Sequence, residues 1–566
     1  MLSLEIRKSN SFSCSNSAYF TTPYNVEAVA LIKSYHTRKW DPISKKWELA
    51  IVDENLDISK IQDIKNRLEK IYNEKCVLTD NKDILLGSIQ AKPKVLSDYS
   101  YLFTKTKPYQ HQIDGVNYGM STDRFLISDD MGMGKSLQSI IIALGKKKER
   151  GYSHCLVICG VNTLKHNWVR EIKKHTDESC VVLGAKNEDD LSPSNKAKLA
   201  MLMKLPKDYF IITNIETLQD REIIKRLKLL ISENEIEMMI YDECHKTRNM
   251  ATKQAKGLIQ LLPKTRIAMT GTPIMNTPLD LYVAMKWLGY ECRNYWAFRN
   301  AYATIGSFGE ITGYKNLNDL HERIKRFMIR RLKKDVLDLP EKIYTDEYLD
   351  CNNLQKKLYG LVRLEVKKEL KEDYNLSSIL AKIIRLRQVT GNPAIISESV
   401  TESVKLDRLV DIVEECCQNG KKICIFSNWV EVVNAAKERL TKFNPAIIIG
   451  DTKNRLNEVD KVTNDKNCGC IIGTIGAMGT GLNITACDTV VFLDEPWNQA
   501  NKIQAEDRCF RIGTKNTVNI ITLLCRGTID VRVNQIVKEK GILAEQVIDK
   551  NSKENAQKLV SFLLED

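Results

Sequence analysis

Phe125-Leu126-Ile127-Ser128-Asp129-Asp130-Met131-Gly132-Met133-Gly134-Lys135-Ser136 is the stretch from which the fold can be read. A short β-like run enters two glycines and a lysine, and a helical pattern follows at Leu137, Ile140, Ile141 and Leu144. That is the context of a phosphate-binding loop, where glycines let backbone N–H groups converge on an anion and a helix N-terminus adds a favourable dipole. Asp130, Met131, Gly132 and Gly134 would form the cradle, Lys135 would reach the β- and γ-phosphates of ATP, and the Ser136 hydroxyl would bind Mg2+. The first glycine of the general pattern is Asp129 here, and a Gly-Lys-Ser alone is often only a turn.

A second feature narrows the reading. Met238 to Tyr241 runs straight into Asp242-Glu243-Cys244-His245, and a buried strand ending in two carboxylates suits Mg2+-assisted hydrolysis. Asp242 would hold the metal through water and Glu243 would act as the base on the attacking water, whereas His245 by itself reads as structural. Upstream, Gln110 in Pro108-Tyr109-Gln110-His111-Gln112 carries an amide with the donor and acceptor needed to read an adenine edge.

Outward from these motifs, β-like runs alternate with helical stretches in two blocks, the pattern of parallel α/β sheets. The first block has candidate strands at Phe125 to Ser128, Cys155 to Cys159, Tyr209 to Thr213, Met238 to Tyr241 and Ile267 to Thr270. The second has them at Lys422 to Ser427, Ala446 to Gly450, Cys470 to Thr474, Val490 to Asp494 and Val518 to Leu523. The expected division is an accessory α+β module over 1–95, a first lobe over 96–285 and a helical insertion and linker over 286–400. A second lobe over 401–545 and a surface helical tail over 546–566 complete it.

Composition sets the outer limits. The chain has 566 residues, 43% apolar and 28% charged, which is too long for one core and too apolar for disorder. Apolar runs are far shorter than the roughly 20 residues that span a bilayer, and Met1 to Asn10 lacks the apolar segment of a signal peptide. Sixteen scattered cysteines with no Cys-x-x-Cys pair argue against zinc and against a disulfide scaffold, and for a reducing intracellular compartment. A net charge of +13, from 85 basic and 72 acidic residues, suits a polyanion partner.

Towards the far end, Gln504-Ala505-Glu506-Asp507-Arg508-Cys509-Phe510-Arg511-Ile512-Gly513 sets Arg508 and Arg511 one helical turn apart on one face. Two guanidinium groups so placed can meet a transferring γ-phosphate as arginine fingers do, although pairing with surface acids is the competing explanation. Before it lies the glycine-rich turn from Thr474 to Asn483, including Gly481, which can approach either DNA phosphate or ATP.

Taken in order, Gln110, the Asp129 to Ser136 loop, Asp242 to His245, Thr270-Gly271-Thr272-Pro273, Ile425-Phe426-Ser427, Gly479 to Asn483, Asp494-Glu495-Pro496-Trp497-Asn498 and Gln504 to Gly513 resemble a superfamily 2 helicase-like motor of the Swi/Snf type. Phe327 to Leu337 resembles that family's signature in its helical insertion. The resemblance covers about residues 100 to 530 and implies two RecA-like lobes and a DNA-dependent ATPase that translocates on duplex DNA. It also implies Gly481 and Gln504 on the nucleotide side, Thr270 and Thr272 coupling nucleotide state to DNA grip, and Trp497 near the lobe interface and DNA. Ser136 stands for a more frequent Thr, Cys159-Gly160 for Cys-Pro, and Thr514 for Gln.

Within the family, the Asp-Asp-Met-Gly loop and Ile329 to Leu337 look most like the HepA-related annealing helicases. Tyr35, Arg38-Lys39-Trp40-Asp41-Pro42 and Lys45 to Leu49 resemble the small DNA-recognition domain that precedes their motor, which marks Trp40 as a DNA contact. Arg323, Lys325, Arg326, Arg330, Arg331, Lys333 and Lys334 put seven cations into twelve positions without an acid. Phosphate contact would use such a run, with Arg330, Arg331 and Lys333 as DNA ligands; a solvated helix face is the alternative.

The expected partner is therefore duplex or branched DNA, read with little sequence specificity, with ATP and Mg2+, no zinc, no membrane, and a monomeric chain. The expected setting is the cytoplasm of a bacterium or of a phage- or virus-infected cell, or the nucleus of a eukaryote. Fork annealing or repair competes with remodelling of protein–DNA complexes, and more distantly with an RNA helicase or a catalytically dead scaffold.

Overall fold

Cys155–Cys159, Phe210–Asn214 and Met238–Asp242 are buried at every position, as strands of a parallel sheet covered on both faces must be. A computed structural model describes residues 2–8, 16–79, 99–540 and 563, except 36, 43, 52–53, 161, 163, 188–189, 191–192, 275–276, 308, 338–339, 373–375, 480–481, 497–498, 512–513 and 515. The chain divides into two compact units, Met1–Ser128 with Ser136–Arg330 and Asp129–Lys135 with Arg331–Asp566.

In the first unit a seven-stranded sheet runs Met328–Ile329, Arg124–Ile127, Thr265–Met269, Met238–Asp242, Cys155–Cys159, Phe210–Asn214, Cys180–Val182, with every pairing parallel. Because side chains alternate between faces, one sequence builds two cores. Leu156, Ile158, Ile211, Met239 and Tyr241 pack on one side, while Val157, Cys159, Ile212, Met238 and Ile240 pack on the other. Each fully buried aliphatic chain contributes about 1.5–3 kcal/mol.

The same unit carries the N-terminal module. Its five-stranded sheet has the order Arg38–Asp41, Lys46–Ile51, Asn16–Thr21, Ser3–Lys8, Val77–Thr79, with helices Val26–Lys33 and Glu54–Tyr72. Together these strands and helices make an α+β arrangement within the first unit. It also faces residues 293–319 across a cavity of about 390 Å3 lined by Tyr35, Lys60, Arg293, Tyr302 and Asp319, and Lys60 Nζ lies 2.5 Å from Asp319 Oδ1.

The second unit contains a six-stranded parallel sheet in the order Lys342–Leu349, Val518–Cys525, Thr489–Phe492, Ile423–Ser427, Cys470–Thr474, Ala446–Ile448. Two helices, Asn353–Glu372 and Leu376–Gly391, and the later Ile529–Lys540 share a further core with Leu563. Otherwise the expected tail over 546–566 lies outside the described residues.

The expected insertion over 286–400 is not one helical region. Residues to Arg330 belong to the first unit and those from Arg331 to the second. The stretch also supplies one strand to each large sheet, Met328–Ile329 and Lys342–Leu349. Consequently the basic run from Arg323 to Lys334 is not one helix face: helix Leu317–Lys325, that first strand and the short helix Lys333–Val336 divide it. Among the described residues no helix is long and apolar enough to cross a membrane.

Candidate nucleotide-hydrolysis site

In the first unit, the expected chemistry collects at the carboxyl ends of neighbouring parallel strands, where open α/β sheets bind ligands. Asp242 closes Met238–Asp242 and is 8% exposed. Its Oδ2 accepts from Trp168 Nε1 at 2.9 Å, and its Oδ1 accepts from the Glu243 backbone N–H at 2.9 Å. Glu243 sits in the left-handed region at φ 53, a backbone strain of about 1–3 kcal/mol that persists only where the surroundings enforce it.

Those surroundings include a departure from the family pattern. The Gly160 N–H donates to the Asp242 carbonyl at 2.8 Å, a bond that proline cannot make. A Cβ at Gly160 would lie 2.8 Å from the Glu243 carbonyl oxygen and 2.9 Å from that of Asp242. We therefore expect Gly160→Ala to cost about 1–3 kcal/mol of stability by overpacking. Thermal denaturation checks this, and an unchanged Tm would mean that the turn yields.

His245 links two motifs. Its Nδ1 lies 3.2 Å from Glu243 Oε2 and 3.0 Å from Thr270 Oγ1, and Thr270 Oγ1 accepts from the Thr272 N–H at 3.1 Å. The acid proposed as base is thus connected, through the residue read as structural, to both proposed coupling threonines. Gln110 opens helix Gln110–Ser121 and its Nε2 donates to Asp114 Oδ1 at 2.9 Å. Gln112, by contrast, is buried and caps the same helix, its Oε1 accepting from the Tyr109 N–H at 3.0 Å.

The phosphate loop, Asp129–Lys135, falls in the second unit. Gly132 and Gly134 have φ values of 77 and 78, the region glycine enters without penalty. Lys135 Nζ donates to the carbonyls of Asp129 and Asp130 at 2.8 and 3.1 Å. A Cβ on Gly132 would lie 2.5 Å from Arg511 Cβ, so the glycine serves both the turn and the close approach of that arginine.

Arg508 and Arg511 meet, but not as expected. Helix Gln499–Glu506 ends before either, so they rise from the turns that follow it. Arg508 is buried; its Nε donates to the carbonyl of the buried Gln504 at 3.0 Å and its Nη1 to that of Leu482 at 3.3 Å. Arg511 Nη1 donates to the same Leu482 carbonyl at 3.5 Å. Thr514, where the family has Gln, accepts from the Arg511 N–H at 3.0 Å and donates to the Cys509 carbonyl at 2.8 Å.

Two of the three basic residues read as DNA ligands in the linker have other work. Arg331 Nη2 and Nε grip the fully buried Asp129 carboxylate at 2.5 and 2.9 Å, and Lys333 Nζ lies 2.8 Å from Asp507 Oδ1. A buried carboxylate requires a paired cation, which corrects their assignment to DNA phosphate. Arg330 is exposed. Arg323, from the same run, is buried and donates to the Tyr290 carbonyl. Trp40 is 41% exposed on its strand and stands opposite Trp47 of the antiparallel neighbour, the two rings 5.2 Å apart. Gly481 and Trp497 lie outside the described residues.

Ser136 and Asp242 offer oxygen donors only, the hard-ligand chemistry that Mg2+ takes. Among the described residues no three His, Cys, Asp or Glu side chains converge as metal ligands, and Mg2+ sharing its coordination with phosphates and water needs no such cage. Trp168 and Asp507 are not singled out by the sequence, and Lys333 is read there as a DNA ligand. Gly160 and Thr514 were visible only as departures, whereas Trp168 carried no signal beyond being an aromatic in a helical pattern.

Residues 111–395 match the SNF2-related domain and residues 404–513 the helicase conserved C-terminal domain. An uncharacterized ATP-dependent helicase of Mycoplasma pneumoniae is 27% identical over 456 residues, 77% of this chain and 42% of that protein. The TATA-binding protein-associated factor MOT1 of Saccharomyces cerevisiae is 25% identical over 526 residues, 78% of this chain and 27% of that protein. The chain thus spans less than half the length of these curated relatives. The solved SWI2/SNF2 ATPase core of Sulfolobus solfataricus in complex with dsDNA is 26% identical, covering 80% of this chain and 97% of that one with a TM-score of 0.36.

Proposed function

This chain belongs to the SNF2-related family of helicase-like ATPases, and from that premise we propose that it hydrolyses ATP to translocate along duplex DNA. The observation that carries the reading is the placement of Asp242 and Glu243 at the carboxyl edge of the first sheet. In the same sheet, the strand Arg124–Ile127 leads directly into the phosphate loop.

Each group has a role on the nucleotide. Gln110 reads the adenine edge, loop residues 130–134 present backbone N–H groups to the phosphates, and Lys135 meets the β- and γ-phosphates. Ser136 and Asp242 would hold a Mg2+, which when bound offsets phosphate charge. Glu243 takes the proton of the attacking water. Arg508 and Arg511 balance the charge that develops on the transferring phosphoryl group. Thr270, joined to Glu243 through His245, passes the state of that site to the DNA grip together with Thr272.

The finer reading is a task on branched DNA, rewinding strands as annealing helicases do. The exposed Trp40 beside Arg38 and Lys39 supports it, because an aromatic face with flanking cations can stack an unpaired base and hold its phosphate. Remodelling of a protein–DNA complex is the second reading, favoured by similarity to a TATA-binding protein-associated factor and to a CHD3-type chromatin-remodeling factor of Arabidopsis thaliana.

The test is ATP hydrolysis with single-stranded, duplex and forked DNA and with RNA side by side, using Lys135→Ala as the blank. Forked DNA should stimulate most and plain duplex next, with an effect that falls as salt rises. Stronger stimulation by RNA than by duplex DNA would sink the DNA reading. Equal stimulation by plain and forked duplex would remove the branched-DNA task alone.

A further inference from the structure

Asp129 occupies the position where the general phosphate-loop pattern has its first glycine, and nucleotide chemistry has no use for a buried acid there. Its carboxylate, fully buried, is gripped by Arg331. The Asp130 N–H donates to the Arg331 carbonyl at 3.1 Å, and the Lys333 N–H donates to Asp130 Oδ2 at 2.9 Å. Both residues entering the loop are therefore tied to linker residues 331–333, through side chain and main chain alike.

The linker's third residue reaches onward. Lys333 Nζ donates to the Phe510 carbonyl at 2.8 Å and pairs with Asp507. Its ammonium lies 5.2 Å from the centre of the Phe510 ring. Lys342 shares Asp507 and also binds Glu506, so the turn from 506 to 510 is held from two sides. Arg508 lies within this turn and Arg511 directly follows it.

We propose that Lys333 is a positioning residue for hydrolysis, holding the turn that presents Arg511 in register with the phosphate loop whose entrance its own backbone fixes. The proposal rests on the ATPase reading and deepens it. Lys333 touches neither nucleotide nor metal in this role; it acts through Asp507, the Phe510 carbonyl and Asp130. Misplacing a catalytic group by about 1 Å can cost about 100-fold in rate, so a distant lysine can matter to turnover without mattering to binding.

Charge makes the role testable. Burial pushes the Lys333 ammonium down to about 8, against the opposing pull of Asp507 and with Lys342 adding repulsion. The positive tie is thus complete below that value and is lost as pH rises through it. An arginine at the same place stays charged throughout.

The experiment measures kcat and KM for ATP at saturating duplex DNA for the full chain and for Lys333→Met, Lys333→Arg and Asp507→Asn, from about pH 6.5 to 9.5. Lys333→Met and Asp507→Asn should lose about 10- to 100-fold in kcat at neutral pH, with KM within about threefold. Lys333→Arg should recover most of that loss and remain active at the alkaline end, where the wild type declines. The proposal is overturned by Lys333→Met turning over within about twofold of wild type, by a loss confined to KM, or by Lys333→Arg failing as badly as Lys333→Met. Lys135→Ala, run in parallel, separates the two levels. If it hydrolyses ATP like wild type the ATPase site itself is wrong, whereas an inactive Lys135→Ala beside a normal Lys333→Met removes only the positioning role.

Discussion

Glu243→Gln is expected to bind ATP and duplex DNA as the wild type does and to hydrolyse ATP about 10²- to 10⁴-fold more slowly. Glutamine keeps the shape of the side chain and the contact with His245, but it cannot take a proton from water. The backbone argues that the carboxylate is held for a purpose. Glu243 adopts φ 53, a conformation without intrinsic favour for this residue. Its own N–H is satisfied by Asp242 Oδ1, and the preceding carbonyl is held by Gly160. With the acid standing 3.2 Å from His245 Nδ1 and that nitrogen 3.0 Å from Thr270 Oγ1, its position depends on the strand end that follows Thr265–Met269. Single-turnover hydrolysis with pre-bound ATP separates chemistry from binding. Full DNA-stimulated turnover by Glu243→Gln would place the base elsewhere, whereas loss of binding would show that the substitution disturbs the turn and not the proton transfer.

The fold was legible where burial imposes a pattern on both faces of a strand. Cys155–Cys159 and Cys470–Thr474 were read at their observed limits, because a strand covered on both sides is an apolar run bounded by polar residues. Lys342–Leu349 was missed for the opposite reason. It lies at a sheet edge, most of its side chains are partly or fully exposed, and its place is secured by parallel pairing with Val518–Cys525, some 175 residues on. Met328–Ile329 hid inside a basic run.

The hydrolytic motifs were legible because each is a local segment at the end of one strand. Pairings between distant charges were not. Arg331 with Asp129 and Lys333 with Asp507 join residues 202 and 174 positions apart, and a run of cations reads the same whether it faces solvent or buried carboxylates. Only the aspartate in place of a glycine hinted that something charged would have to meet it.

Arg511→Ala should leave ATP and DNA binding within about threefold and lower turnover about 10³-fold, as removal of an arginine finger does. Of the two arginines read as fingers, 511 is the better suited to this role. Arg508 is buried against main-chain carbonyls of Gln504 and Leu482, so its removal strips hydrogen bonds from buried acceptors, which costs stability as well as rate. Arg511 is less buried, and its Cβ stands so close to Gly132 that no side chain fits there. That approach brings its guanidinium to the loop that would hold the phosphates. Lysine is a poor substitute, because one ammonium cannot span two phosphate oxygens as a planar guanidinium can. Arg511→Lys should therefore resemble Arg511→Ala in kcat while keeping the positive charge. If both variants instead raise KM for ATP at unchanged kcat, Arg511 binds the ground state as firmly as the transition state. The charge developing on the phosphoryl group must then be met by another cation, for which Lys135, already within the loop, is the candidate.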